Sequence, residues 1–237
     1  MAVDTKTRSN EPELMDDFAL EGEILRDALD KIASINKLLG GNKVTLDGVK
    51  NLIDAGDRNS EISIVDVGCG NGDMLRTLAD YGRAEQLKFR LIGIDANAFT
   101  ISHAENLSTQ YENISYQCID IFTDAFKAAD YDIILCTLTL HHFKDHEILM
   151  LLQSFHQQTN LGVVINDLHR SKLAYYLFNA ICFVFRLNEM SRKDGLVSIL
   201  RGFKRADLER YSAELKFKSY SIRWRWAFRY QWIIKSI

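Results

Sequence analysis

Ile62-Ser63-Ile64-Val65-Asp66-Val67-Gly68-Cys69-Gly70-Asn71-Gly72 is the stretch on which the reading of this chain turns. A mostly apolar run of six residues, interrupted only by Ser63 and Asp66, suits a strand covered on both faces, as strands of parallel sheets are. The alternate glycines behind it let the backbone turn tightly and approach a ligand without Cβ interference. A helix expected over 72–81 then offers free N–H groups to a carboxylate or phosphate. Strand, glycine turn and helix in this order place a nucleotide-like ligand at the carboxyl edge of an open α/β sheet.

Outward from this unit the alternation continues. Strands are expected over 62–67, 89–95, 114–119, 131–137 and 162–168, with helices over 72–81, 100–110 and 145–156 between them. Strands separated by helices imply parallel βαβ units with right-handed crossovers. Near the end, Tyr220, Ile222, Trp224, Trp226, Phe228, Tyr230 and Trp232 recur with the period of two that strands require. Two strands with a tight turn near Trp226 would close the sheet as an antiparallel hairpin. The predicted fold is α/β: a Rossmann-like, doubly wound, seven-stranded and mostly parallel sheet with a C-terminal antiparallel hairpin, plus an N-terminal helical cap.

The cap is read from Ile24, Leu25, Leu29, Ile32, Ile35, Leu38 and Leu39, which recur at helical spacing until Gly40-Gly41 stops the run. A second short helix is expected over 46–55. Residues 1–17, polar and carrying the only proline, Pro12, form a flexible N-terminus expected to lack fixed structure until something covers it. Residues 18–57 form the cap and 58–237 the sheet domain. Within the latter, 173–186 reads as an apolar helix, 188–195 as a polar loop and 205–212 as a further helix.

Composition excludes several classes. At 237 residues, 47% of them hydrophobic and 26% charged, the chain suits one globular domain with elaborations. A net charge of -3 supplies no global positive field, so no nucleic-acid partner is expected. Cys69, Cys118, Cys136 and Cys182 form no CxxC pair, which predicts neither structural zinc nor a disulfide framework. The start has no apolar h-region, and the stretch 173–185, interrupted by Asn179, is too short to span a bilayer comfortably. The chain reads as cytoplasmic and reduced.

Three acids fall at the carboxyl ends of strands. Asp66 precedes a GxGxG loop, where dinucleotide sites carry GxGxxG, and an acid beside the loop suits an ammonium better than a pyrophosphate. That points to the methionine end of S-adenosylmethionine. Asp95 can accept from both ribose hydroxyls, and Asp120 can accept from the adenine amino group with Ile121 against the ring.

VDVGCGNG at 65–72, GIDAN at 93–97, CIDIF at 118–122 and LCTLTLHHF at 135–143 stand in an order that resembles the class I S-adenosylmethionine-dependent methyltransferases, of the type that includes ubiquinone and menaquinone biosynthesis enzymes. The resemblance covers roughly 62–168. ELMDD at 13–17, INKLLGG at 35–41 and NDLHRSKLAYYLF at 166–178 are similar to segments of bacterial methyltransferases associated with phenolic lipids, quinols and polyketides. The class I resemblance implies that Gly68, Cys69, Gly70 and Gly72, with Asn71 in the same loop, line the methionine and ribose portions of S-adenosyl-L-methionine. It also implies Asp95 at the ribose, Ala96 on one adenine face, Asp120 and Ile121 at the base, and Thr137 and Leu138 at the methionine end.

Methyl transfer is an in-line displacement, so the protein chiefly aligns the nucleophile and excludes water. An oxygen acceptor also benefits from a general base. His169 is ranked first, ahead of His141 and His142, because it follows the strand that commonly borders the acceptor site. His142, His146 and Glu147 have the spacing of a helical metal site, but a solvated helix start is the expected reading, and no metal is expected. Apolar residues cover nearly every side of 173–185, so this helix is buried, lines a greasy pocket or touches a membrane surface transiently. Residues 171–212 are the expected cover of a small lipophilic acceptor that is phenol, quinol or polyketide-like and methylated on oxygen. Oligomeric state is not legible. Two rivals stand beside this reading. One is an RNA-directed methyltransferase, motivated by Arg223, Trp224, Arg225, Trp226 and Arg229. The other is a catalytically silent protein that binds S-adenosylmethionine.

Overall fold

The computed structural model describes residues 3–53 and 60–236. Seven strands form one sheet in the order β3-β2-β1-β4-β5-β7-β6. β1 (Ile62–Val67), β2 (Phe89–Asp95), β3 (Ile114–Cys118), β4 (Tyr131–Thr137) and β5 (Thr159–Leu168) run parallel, and β7 (Arg229–Lys235) and β6 (Tyr220–Arg225) close the edge as the antiparallel hairpin. Every residue of β1 is buried, as its apolar run requires.

Alternation along the strands divides the core between two faces. Val65, Val67, Ile134, Cys136, Val163, Ile165 and Trp232 pack with Ile148, Leu151, Leu152 and Phe155 of α6 (Asp145–Gln157) and Leu208 and Tyr211 of α9 (Arg205–Glu214). Ile62, Ile64, Leu91, Ile133, Leu135, Val164 and Ile233 pack with Val49 and Leu52 of α2 (Gly41–Ile53) and Met74, Leu75 and Leu78 of α3 (Asp73–Glu85). The doubly wound layers therefore follow from the odd and even positions of each strand. The helices α4 (Ala98–Leu107) and the short α5 (Asp124–Lys127) complete the crossovers.

Three departures from the sequence reading bear on the site. First, α8 (Glu189–Arg201) occupies the stretch expected as a polar loop. Asn188 caps it by accepting from the Ser191 N–H at 2.8 Å. The face it buries includes Ser191, Asp194, Ser198 and Arg201, so its partners are polar and the apolar periodicity that betrays a helix is weak. Second, α2 starts at Gly41, five residues ahead of expectation. The expected end of that helix at 54–55 and the domain boundary at 57–58 lie outside the described residues.

Third, residues 3–17 lie along the protein surface in fixed contacts. Arg170 Nε donates to the Thr5 carbonyl at 3.1 Å, Ser9 N–H donates to the Leu200 carbonyl at 3.1 Å, and Asp194 accepts from the Leu14 and Met15 N–H groups at 2.8 and 2.9 Å. The composition that suggested disorder is instead matched to polar groups of α8 and of the β5 end. Beyond this strap, α1 (Glu23–Leu38) caps the carboxyl edge of the sheet, with Asp30 accepting from Asn71 at 2.9 Å. The apolar helix α7 (Lys172–Val184) packs against α8. No helix among the described residues is long and apolar enough to cross a membrane.

Candidate cofactor and acceptor site

The carboxyl ends of β1, β2, β4 and β5 open into a cavity of about 1000 Å³ roofed by the strap, α1, α7 and α8. Asp66, Gly68, Cys69, Gly70, Asn71, Asp95, Ala96, Asp120, Ile121, Thr137, Leu138, His141, His142 and His169 all line it. Of the cofactor-binding and catalytic candidates read from the sequence, Gly72 alone is absent from its wall; it supplies the left-handed turn (φ 77°) that starts α3.

Asp66 is 2% exposed, and its Oδ1 has no hydrogen-bond partner. Burial pushes its carboxyl well above the usual range, and the charges of Asp73 and Asp95 push it the same way. An unpaired acid held in such a place is costly unless a ligand completes it. Gly68 has φ 68°, and a Cβ there would stand 2.4 Å from Thr139 Oγ1, so the loop backbone is pressed against the β4 end. Asp95 accepts from the Asn97 N–H at 3.0 Å and the Gly70 N–H at 3.3 Å, which fixes its carboxylate across the loop. Burial raises its pKa against these two donors. Asp120 is exposed and accepts from the Phe122 N–H at 2.9 Å, while Ile121 is buried beside it. The Asn71 side chain is turned to the cap and to its own helix start, donating to Asp30 and accepting from the Asp73 N–H at 3.2 Å. Thr137 spends its hydroxyl on Thr45 at 3.1 Å, and Leu138 follows with φ 55°. Residues in that strained region concentrate where a structure over-determines them, as at ligand sites.

These features fit the group the loop implies. The amino-acid end of S-adenosylmethionine is a zwitterion, and an orphaned buried carboxylate is a receptor for its ammonium.

On the acceptor side the structure separates the three histidines. His141 is 2% exposed, and its Nδ1 lies 2.7 Å from Asp167 Oδ1. Asp167, buried on β5, also accepts from the His141 and Leu168 N–H groups at 3.1 and 2.7 Å. Burial alone would raise the Asp167 carboxyl, but the His141 charge and these hydrogen bonds outweigh it and hold it below the ordinary value. His141 Nε2 has no partner. Glu13 Oε1, from the strap, is 3.7 Å away, past hydrogen-bonding reach, and is likewise without one. His142 Nδ1 lies 2.5 Å from Asp16. His169 Nδ1 accepts from the Trp224 indole at 3.2 Å. Burial, then the charges of Lys204 and Arg170, lower the His169 pKa and so favour its neutral ring.

Two arginines frame the histidine turn. Arg201 Nε donates to the His141 carbonyl at 3.1 Å and also reaches the His142 carbonyl; Arg8 donates to the His141 and Phe143 carbonyls at 3.1 and 3.0 Å. Glu13, His141 and His142 each bring one ligand atom within 4.8 Å of the others, a set that could take a cation. Arg201 Nη1 already stands 3.6 Å from the same Glu13 oxygen, and its fixed positive charge opposes a second one there.

Sequence reasoning missed Glu13, Asp16, Asp167, Arg201 and Arg229. The first two lay in the segment expected to be flexible, and Arg201 in the stretch beyond the expected loop. Arg229 was grouped with the basic residues of the hairpin; it is 4% exposed and lines the cavity, which removes it from any surface that could grip a phosphate chain.

The sheet topology and the glycine loop are those of a methyltransferase fold, the fold in which related structures hold SAH. Comparison with known proteins agrees. Residues 64–162 match the family profile described as a methyltransferase domain. A ubiquinone biosynthesis O-methyltransferase of Coxiella burnetii is 36% identical over 83 residues, 35% of this chain and 33% of that protein. A protein-lysine N-methyltransferase of Saccharomyces cerevisiae is 38% identical over 81 residues, 33% of this chain and 34% of that protein. The chain thus matches about a third of the length of these curated relatives. Among solved structures, the plantazolicin methyltransferase BpumL in complex with SAH superposes with a TM-score of 0.64 at 17% identity, over 88% of this chain and 89% of that one. The magnesium protoporphyrin IX methyltransferase of Synechocystis PCC 6803 with bound SAH gives 0.55 at 17% identity, over 83% and 82%. At these identities the structural likeness establishes the fold.

Proposed function

We propose that this protein transfers a methyl group from S-adenosylmethionine to a hydroxyl oxygen of a small lipophilic acceptor, a phenol or quinol in character, with His141 as general base. The observation that carries the reading is the buried Asp167–His141 pair whose Nε2 is unpartnered in the cavity wall. In a neutral imidazole one nitrogen is protonated and the other is free to accept. With Nδ1–H donated to Asp167, His141 keeps its lone pair on Nε2, the form a base needs. His169 is the reverse case: accepting from Trp224 at Nδ1 leaves its proton on Nε2, so it presents a donor. That tautomer argument moves His141 ahead of His169.

The cofactor supplies an electrophilic methyl on a sulfonium with a neutral thioether as leaving group. Asp66 takes its ammonium, Asp95 the ribose hydroxyls, and Asp120 with Ile121 the base, while Ala96, Thr137 and Leu138 border it. The acceptor hydroxyl gives its proton to His141 Nε2, and the Asp167 carboxylate stabilises the imidazolium that results. Glu13 flanks the same spot, and Arg8 and Arg201 hold the histidine turn in place. The lipophilic acceptor is supported by the apolar part of the cavity lining, to which the α7 region gives Leu177, Phe178, Ile181 and Phe185 and α1 gives Leu25, Leu29 and Ile32. Exposed Leu173, Tyr176 and Phe183 on the same helix suit transient contact with a membrane surface, in a protein working in the cytoplasm.

The test is incubation of the purified protein with methyl-labelled S-adenosylmethionine and a panel of lipophilic phenols and quinols. Label recovered in a methyl ether supports the reading. Label found only in RNA or protein, or bound cofactor with no turnover on any acceptor, overturns it.

A further inference from the structure

Arg229, the first residue of β7, is a buried cation with no ion-pair partner within 4 Å among the described residues. It is 4% exposed, lines the cavity, and its Nε and Nη1 have no hydrogen-bond partner. Burial brings its pKa down to about 10, against the favourable charges of Asp167 and Asp73, so the guanidinium stays protonated at neutral pH. Those two acids are already engaged. Asp167 accepts from His141 and two backbone N–H groups, and Asp73 Oδ2 accepts from Asn42 at 2.8 Å.

Leaving a guanidinium dry and unpaired costs several kcal/mol in general, and guanidinium donors match the paired oxygens of a carboxylate or a phosphate. The place of Arg229 narrows the choice. Its Cζ would stand 3.0 Å from a Cβ on Gly41, at the start of α2, beside the cavity residue Asn36. Asn36, Asp66, Asp73 and Arg229 all line the one cavity, so the orphaned acid and the orphaned base open onto the same space. Glu13, the other cavity acid with an unpartnered oxygen, already has Arg201 3.6 Å away, whereas Asp66 and Arg229 have no ion-pair partner among the described residues and together are the complement of an α-amino acid.

We propose that Arg229 binds the α-carboxylate of the cofactor's methionine end, opposite the ammonium taken by Asp66. The inference rests on the cofactor reading above and adds to it a residue from the closing hairpin, a part of the chain that the glycine loop does not reach. A carboxylate on the acceptor is the competing source of the same chemistry.

Calorimetric titration of the intact protein distinguishes these. The probes are S-adenosylmethionine, decarboxylated S-adenosylmethionine and 5′-methylthioadenosine, which lacks the amino-acid end. Wild-type protein should bind S-adenosylmethionine about ten- to a hundred-fold more tightly than the decarboxylated form. R229Q should lose a similar factor for S-adenosylmethionine, keep its affinity for the decarboxylated form, and bind 5′-methylthioadenosine as the wild type does. R229K, retaining charge without the planar fork, should fall between. Equal wild-type affinity for the first two probes overturns the proposal without recourse to any variant that fails to fold. So does an R229Q protein that loses both alike or neither, and one that loses only turnover on carboxylate-bearing acceptors assigns the arginine to the acceptor instead. Wild-type protein that binds none of the three probes removes the cofactor reading itself.

Discussion

Asp167 Oδ1 and His141 Nδ1 are 2.7 Å apart with both side chains buried, and that single contact leaves Nε2 as the imidazole nitrogen without a hydrogen-bond partner. Replacing His141 with Gln should reduce turnover by about 10²- to 10⁴-fold, the usual contribution of a positioned base, and leave cofactor affinity within a factor of about two. Asp167→Asn should lose nearly as much, because an amide can donate to Nδ1 and drive the proton onto Nε2. His169→Ala should cost far less. Steady-state rates with a phenolic acceptor, alongside calorimetric cofactor affinities, check all three, and equal losses from His141→Gln and His169→Ala would refute the tautomer argument.

Asp66 sets binding against stability. A buried acid whose folded pKa is raised binds a proton more readily when folded than when unfolded. Its contribution is therefore harmless below the ordinary carboxylate range and increasingly destabilising as pH rises through the folded value. Asp66→Asn should raise the melting temperature of the cofactor-free protein at neutral pH, by roughly 2–4 °C for each kcal/mol recovered, and flatten its decline with pH. The same substitution should weaken cofactor binding about tenfold or more. A lower melting temperature across the whole pH range would mean that the carboxylate has a structural partner.

How much of this was legible in the sequence follows from what each segment packs against. β1, β2 and β4 were readable to the residue because strands buried on both faces are written in apolar runs, and the glycine loop because nothing but glycine suits its turns. α8 was illegible because its buried face is polar, and the strap because its stability comes from hydrogen bonds to Arg170, Asp194 and Leu200, all more than 160 residues away. Asp167 was quoted in the NDLHR segment yet passed over for the histidine two residues on, since a strand's pattern does not tell which imidazole a carboxylate will reach. Arg229 misled for a related reason. Alternation assigns faces, but the first residue of β7 sits at the cavity edge, where both faces are covered.

The strap should loosen in acid. Burial pushes the Asp16 carboxyl up, but hydrogen bonds from His142, Arg201 and the Glu13 N–H outweigh it and hold the group well below the ordinary range. A depressed folded value means that the stabilisation is complete above the ordinary carboxylate pKa, near 3.8, and is lost as pH falls from there toward the folded value. Hydrogen exchange at the Leu14 and Met15 amides, measured against pH and corrected for intrinsic rates, should accelerate in that window ahead of β1. Asp16→Asn should show the faster exchange already at neutral pH. Protection in the variant equal to that of the wild type at neutral pH would mean that Asp194, which holds both amides, anchors the strap unaided.

Gly68 is constrained twice, and the two constraints can be separated. Its φ of 68° costs an L-residue about 1–2 kcal/mol, and a Cβ there would stand 2.4 and 2.5 Å from the Thr139 Oγ1 and Cγ2 atoms. Gly68→Ala should therefore destabilise the protein by about 2–4 kcal/mol and abolish tight cofactor binding, since relief of the clash moves the loop that faces the ligand. Adding Thr139→Ala removes both of those contacting atoms while leaving the backbone angle, and Thr139 Cβ still lies 3.0 Å away. The double variant should recover part of the stability and little of the affinity. Full recovery of stability would assign the whole cost to the threonine contact and none to the left-handed turn; no recovery would assign it all to the backbone. Denaturant unfolding of the four proteins in the cycle measures the split directly.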